Sequence, residues 1–194
     1  MTILQTIKER RSIHSFKKEN VPPHILKEIF TYGTWAPTHY MKEPWNVIVY
    51  ENEGKQRIIQ ATIDSYVRLG VLKKDGTEKA RKTIHSIRQF LFDIPHHVLI
   101  YFPIEEDPVR YEEEYAAVCA FIQNVQLAAW EYGVGVLWTI TPSMHEEGFA
   151  KDLGLSPQEV KIAAVLQMGY PEKVPVSKGR TNIEQKLQFC RTRE

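Results

Sequence analysis

Three short segments carry side chains that could do chemistry together. Arg10-Arg11-Ser12 sets two guanidinium groups and a hydroxyl in successive positions. Each guanidinium can contact two phosphate oxygens at once and the hydroxyl adds a donor, so the triplet suits a monophosphate. The same residues, at the end of a helical stretch, would also serve as a solvated basic terminus that offsets the helix dipole. The second segment, Trp35-Ala36-Pro37-Thr38-His39-Tyr40-Met41-Lys42-Glu43-Pro44-Trp45, crowds aromatics, a histidine and two prolines just before a strand. Proline fixes φ, so polar groups here are held in place and could meet the edge of a planar heterocycle, with Trp35 or Trp45 as a wall. A rigid connector with buried tryptophans would look the same. The third segment, Glu131-Tyr132-Gly133-Val134-Gly135-Val136-Leu137-Trp138, has two glycines where a helix gives way to a strand. That permits close approach of backbone to a ligand, or simply a helix C-cap at Gly133. Its order is the reverse of a dinucleotide-binding turn, which excludes that reading.

The other reactive residues point to structure. His96-His97 precede an apolar strand and have no metal-spaced partners, and His14, His24, His85 and His145 are scattered. Glu112-Glu113-Glu114 reads as the charged first turn of a long helix. No Ser-His-Asp elbow, P-loop or zinc pattern is present. Cys119 and Cys190 are too far apart in sequence to suggest a disulfide framework, and Cys119 falls in an apolar helical pattern expected in the core.

The elements that must position these segments follow from periodicity. Helices are expected over Ile3 to Arg10, from Pro22-Pro23 to near Gly33, and over Lys55 to Leu69, Glu78 to Phe92 and Met144 to Leu153. Strands are expected over Trp45 to Tyr50, His97 to Phe102, Gly133 to Ile140 and Val160 to Met168. The longest helix, Arg110 to Tyr132, places Tyr111, Tyr115, Val118, Ile122, Val125, Ala129 and Tyr132 at steps of four and three. A second apolar face carries Ala116, Ala117, Ala120, Phe121 and Ala128, so this helix should be buried on most sides. A polar arm, about residues 172 to 194, carries Lys173, Lys178 and Arg180 and a helical-looking stretch from Ile183 to Phe189. Strands and helices do not alternate strictly, which favours an α+β fold, a central antiparallel-rich mixed sheet flanked by helices.

The bulk properties agree with one domain over residues 1 to 194, since 43% hydrophobic residues suffice for a core. The net charge is +1, from 25 basic and 24 acidic side chains, so no broad field points to nucleic acid or an anionic membrane. No apolar run nears the ~20 residues of a membrane span. Met1-Thr2-Ile3-Leu4-Gln5 lacks a secretory pattern, so a cytoplasmic protein is expected.

Taken together, Arg10-Arg11-Ser12, the Ala36-Pro37-Thr38-His39 to Pro44-Trp45 loop, the helix ending Glu131-Tyr132-Gly133-Val134-Gly135, and Gly169-Tyr170-Pro171 resemble the nitroreductase family, in particular its small NAD(P)H-dependent flavin reductases. The resemblance implies an intertwined homodimer with the long helix at the interface and an FMN site built from both copies. Arg10, Arg11 and Ser12 would hold the phosphate and ribityl chain, and Trp35 and His39 would come from the second copy. Val136, Leu137 and Trp138 would run beside the ring, and Lys178 and Arg180 would add phosphate contacts. Met41 and Glu43 stand where the family commonly carries an amide pair, and Trp35 where some relatives carry arginine. The implied activity is hydride transfer from NADH or NADPH to nitro compounds, quinones or similar electron-poor acceptors, with no catalytic side chain required. An FMN-binding protein with little turnover, a dehalogenase or an oxidase are the alternatives.

Overall fold

The computed structural model describes residues 2–190, so the arm is seen only as far as residue 190. Helix α1 (Ile3–Glu9) starts at a capping box: Gln5 N donates to Thr2 Oγ1 at 3.3 Å, and Thr2 N donates to Gln5 Oε1 at 2.9 Å. Helix α2 (Pro23–Gly33) opens on proline, as its missing N–H allows. Strand β1 (Asn46–Glu51), helices α3 (Lys55–Arg68) and α4 (Glu78–Asp93), and strand β2 (His96–Pro103) follow within a residue or two of expectation.

Helix α5 (Pro108–Glu131) begins two residues earlier than its periodicity suggested. Asp107 caps it by accepting from Val109 N at 2.9 Å, and Pro108 fills the first position. Glu112, Glu113 and Glu114 therefore lie in the second turn, beyond the orphan N–H groups, and the first-turn expectation is corrected. Strand β3 (Gly135–Thr139) precedes a divided segment, a 3-10 turn (Pro142–His145) and helix α6 (Glu147–Asp152), where one helix was expected. The break falls at Glu146, whose carboxylate caps α6 through Gly148 N and Phe149 N. Strand β4 (Val160–Gly169) completes the sheet. Among the described residues of the arm only Ile183–Gln185 forms a 3-10 turn, and every described residue after Pro171 is exposed. The helix expected from Ile183 to Phe189 is not formed, and so short a helix is marginal without a buried apolar face.

The strands run in the order β1-β2-β4-β3, each neighbouring pair antiparallel. The parallel component of the expected mixed sheet is an isolated bridge between Ser12 and Val136. Strand alternation divides the core into two layers. Val98, Ile100, Phe102, Leu166 and Val136 face α5, meeting Val118, Phe121, Ile122, Val125 and Ala129. Leu99, Ile162 and Tyr50 face α3 and α6, meeting Ile58, Phe149 and Leu153. Each fully buried Val, Leu, Ile or Phe contributes about 1.5–3 kcal/mol, so both layers hold the sheet rigidly. No helix among the described residues is long and apolar enough to cross a membrane.

Candidate functional site

The segment leaving α1 lies along the edge of the sheet. Ile13 N donates to Val136 O at 3.1 Å and Lys17 N to Tyr170 O at 2.9 Å, so Arg10, Arg11 and Ser12 are held beside β3. This close approach explains Gly135, because a Cβ there would lie 2.5 Å from Ile13 Cγ1. Gly133, in the left-handed region at φ +70, turns the chain from α5 into that strand, the expected C-cap.

Arg10 is half-buried, and its Nη1 donates to Gln126 Oε1 at 3.3 Å. Arg11 Nη1 donates to the carbonyls of Lys8 and Arg10, both at 2.6 Å, so it also covers the C-terminal end of α1. Burial, then the nearby charges of Arg11 and Arg180, push the Arg10 pKa below its ordinary value. The arm thus brings Arg180 within electrostatic reach of Arg10, although the two are distant in sequence. Among the described residues, no carboxylate forms an ion pair with any of these three guanidinium groups. Ser12 is exposed beside them. Lys178 contributes its carbonyl, which accepts from Arg180 Nη1 at 3.2 Å. The result is a concentration of positive charge with no paired carboxylate among the described residues, a setting that could take an anion.

The loop between α2 and β1 forms a second surface. Trp45 is partly buried and stacks on Phe121, with centroids 5.0 Å apart. Trp35 is 81% exposed, Tyr40 85% and Met41 76%, so a connector with both tryptophans buried is ruled out. Tyr40, Met41 and Glu43 have left-handed backbones, at φ 50, 54 and 47. Such a conformation costs a non-glycine residue about 1–2 kcal/mol. Helix α5 holds it in place. His39 Nδ1 lies 2.8 Å from Glu113 Oε2, and the imidazole stacks on Tyr40 with centroids 4.0 Å apart. Lys42 Nζ donates to Glu114 Oε1 at 2.6 Å and to Glu105 Oε1 at 2.7 Å. These hydrogen bonds raise the Lys42 pKa and lower that of Glu105. Glu43 N donates to Thr38 Oγ1 at 3.1 Å. A cavity of about 210 Å³ opens behind the loop, lined by Thr38, His39, Lys42, Arg110, Glu113 and Glu114 among others.

The two surfaces meet α5 at different heights. Arg10 reaches it at Gln126 and His39 at Glu113, thirteen residues apart, or about 20 Å along the helix axis. Val136 is buried, Leu137 partly buried, and Trp138 partly buried with its indole N–H shielded from solvent and unpaired. The nominated residues therefore fall into a basic corner, with Arg10, Arg11, Ser12 and the β3 residues and Arg180 within electrostatic reach, and a presented loop, with Trp35 and His39. Sequence reasoning missed the roles of Lys42, Glu113 and Glu114. The Asp107-Pro108 pair, a cap followed by a first-turn proline, was the signal that would have moved the three glutamates into the helix body.

The buried pair His96-His97 is structural. His96 accepts from Val21 N at Nε2, 2.9 Å away, and His97 Nε2 lies 2.8 Å from Leu91 O. Cys119 is half-buried, with its thiol pKa pushed up by burial. Among the described residues, no group of three or more His, Cys, Asp or Glu side chains could hold a metal ion.

Comparison with known proteins gives a consistent result. The model of the nitroreductase family matches residues 7–170. The chain is similar to YfhC of Bacillus subtilis, an NAD(P)H nitroreductase by name, with 31% identity over 182 residues covering 93% of this chain and 90% of that one. The fold is similar to the crystal structure of a nitroreductase-like family protein from Bacillus cereus, with a TM-score of 0.87 and 32% identity over 98% of this chain and 96% of that one. It also resembles a Desulfovibrio desulfuricans protein solved in complex with FMN, with a TM-score of 0.74 and 21% identity over 98% of both chains.

Proposed function

This chain belongs to the nitroreductase family, and from that premise we propose that it is an FMN-dependent oxidoreductase. It takes hydride from NADH or NADPH and passes it to nitro compounds, quinones or similar electron-poor acceptors. The observation that carries the reading is the setting of Arg10 and Arg11 beside β3, with Arg180 within electrostatic reach of Arg10 and, among the described residues, no carboxylate ion-paired with any of the three. A terminal phosphate supplies that charge and suits the planar, many-donor guanidinium groups better than a metal or a neutral ligand would. When bound, FMN supplies the redox chemistry, accepting a nicotinamide hydride and then reducing a second substrate in the same place.

The chain's own residues bind and orient. Arg10, Arg11 and Arg180 hold the phosphate, with Lys178 at the periphery, and Ser12 adds a hydroxyl donor. Val136, Leu137 and Trp138 form the strand beside the ring. Two copies complete the site. The 20 Å between the two contact points on α5 closes if a two-fold axis crosses that helix midway, bringing the Trp35–His39 loop of one copy over the Arg10 corner of the other. The exposed Trp35, Tyr40 and Met41 then gain cover. Glu43, on the same loop, adds negative charge near the ring and lowers its reduction potential. A cytoplasmic location, where both nicotinamides are available, fits the reading.

Anaerobic titration of the purified yellow protein with NADH and NADPH tests this proposal. Bleaching of the flavin band, then recovery on adding a quinone or nitroaromatic, is expected, with ping-pong kinetics. A protein that holds FMN but does not bleach is a binder with little turnover. Recovery only with a halogenated phenol, or only with oxygen, assigns a dehalogenase or an oxidase instead.

A further inference from the structure

We propose that Lys42 and Glu114 are positioning residues, which lock the loop 38–43 in the conformation that meets FMN. The proposal rests on the FMN reading above and explains two features that reading leaves unused, a buried carboxylate and a strained loop. Glu114 is 6% exposed although its neighbours Glu112, Glu113, Tyr115 and Ala116 on α5 are exposed, and its Oε1 lies 2.6 Å from Lys42 Nζ. A buried carboxylate holds its cationic partner far more firmly than an exposed one, because separating them would strand a charge in a low-dielectric setting. Glu105 adds a second, less buried, contact to the same ammonium.

The geometry places this anchor where it controls the loop. Lys42 has right-handed backbone angles between left-handed Met41 and Glu43, so its side chain grips the strained stretch from within. His39, bound to Glu113, grips the other end. Consecutive residues on a helix point about 100° apart, so Glu113 and Glu114 take the loop from two sides of α5. Between the grips, Tyr40 and Met41 point outward, and the amides of Lys42 and Glu43 are occupied by His39 O and Thr38 Oγ1. A loop with three left-handed non-glycine residues would relax without such anchors. The pair thereby converts a flexible connector into a preformed contact surface, and a preformed surface binds its ligand without the cost of ordering itself.

Three variants test this. Lys42→Met alone leaves Glu114 unpaired and loses stability for that reason, so the informative protein is Lys42→Met combined with Glu114→Met, which removes both charges. Lys42→Arg keeps the ion pair. Amide hydrogen exchange at Lys42 and Glu43 is measured in flavin-free protein, and the FMN dissociation constant by fluorescence titration at fixed protein concentration. The double variant should regain the wild-type thermal midpoint within a few degrees, yet exchange at both amides should rise about tenfold or more, and the FMN dissociation constant by about tenfold. Lys42→Arg should stay within about threefold of wild type on both measures. Unchanged exchange in the double variant overturns the proposal, since the loop then holds itself. Faster exchange with an unchanged FMN constant overturns the positioning of the loop toward the flavin. If the wild-type protein does not bind FMN, it is the function reading that fails, and exchange alone still decides whether the pair fixes the loop.

Discussion

Acidification from about pH 7.5 to about pH 5 should cost the folded chain about 4 kcal/mol through two histidines that take no part in the chemistry. His96 is fully buried and His97 is 3% exposed at the start of β2. Burial is the largest cause of the drop in both pKa values from 6.5 to about 4. The charge of Lys55 adds to it for both, the charge of His97 adds further for His96, and the Leu91 carbonyl partly offsets it for His97. The hydrogen bonds assign the neutral tautomers: His96 accepts from Val21 N, leaving its proton on Nδ1, and His97 donates to Leu91 O. His96 Nδ1 faces Glu51 Oε2 at 3.5 Å, which is too weak a contact to retain a second proton. Between pH 6.5 and pH 4 the unfolded chain therefore binds protons that the folded chain refuses. The stabilisation is complete above the unfolded pKa and disappears as pH falls through the folded one. Each histidine contributes about 2 kcal/mol over the stated range, so the pair accounts for about 4. Urea unfolding at a series of pH values, with protein and flavin concentrations fixed, measures the loss. In the double variant His96→Gln, His97→Gln, which keeps amide donors and acceptors but cannot titrate, the pH-dependent loss should shrink to about 1 kcal/mol or less, whatever the absolute stability. An unchanged pH dependence in that variant refutes the reasoning.

Further predictions concern the basic corner and its scaffold. Arg11→Ala should weaken FMN retention by about 1.5–3 kcal/mol, the worth of a charge-assisted contact, and equilibrium flavin fluorescence reads the change. Arg180→Ala, on an exposed arm, should weaken it less and with a stronger dependence on salt. On the proposed site shared by two copies, flavin should dissociate on dilution together with the dimer, and sedimentation of a monomer that keeps its flavin would rule out the shared site. Gly135→Ala should destabilise the fold by about 1–3 kcal/mol through overpacking, because its new methyl meets Ile13 and Pro171, and flavin content should fall with it as Ser12 is displaced.

Local patterns were enough to place most of the elements. Alternation and the three-four step fixed the strands and the long helix to within a few residues, because burial on one face writes itself directly into residue type, although α5, expected to be buried on most sides, leaves much of its surface exposed in this chain. The Gly133 cap was legible because its left-handed backbone favours glycine, whereas Gly135 proved to admit the chain's own Ile13 and Pro171 where approach to a ligand was expected. Arg10-Arg11-Ser12 was visible as a possible phosphate site but indistinguishable from a basic helix end, and Arg11 in fact does both. Only the fold put Arg180 within electrostatic reach of Arg10, because the path of an exposed arm has no periodicity to read. Only tertiary structure turned Glu113 and Glu114 from a charged helix start into anchors for His39 and Lys42, since a carboxylate's partner depends on which loop folds across it. The sequence by itself determined which chemistry was possible, through residue types and local backbone demands, and the fold decided which charges face one another across long stretches of chain.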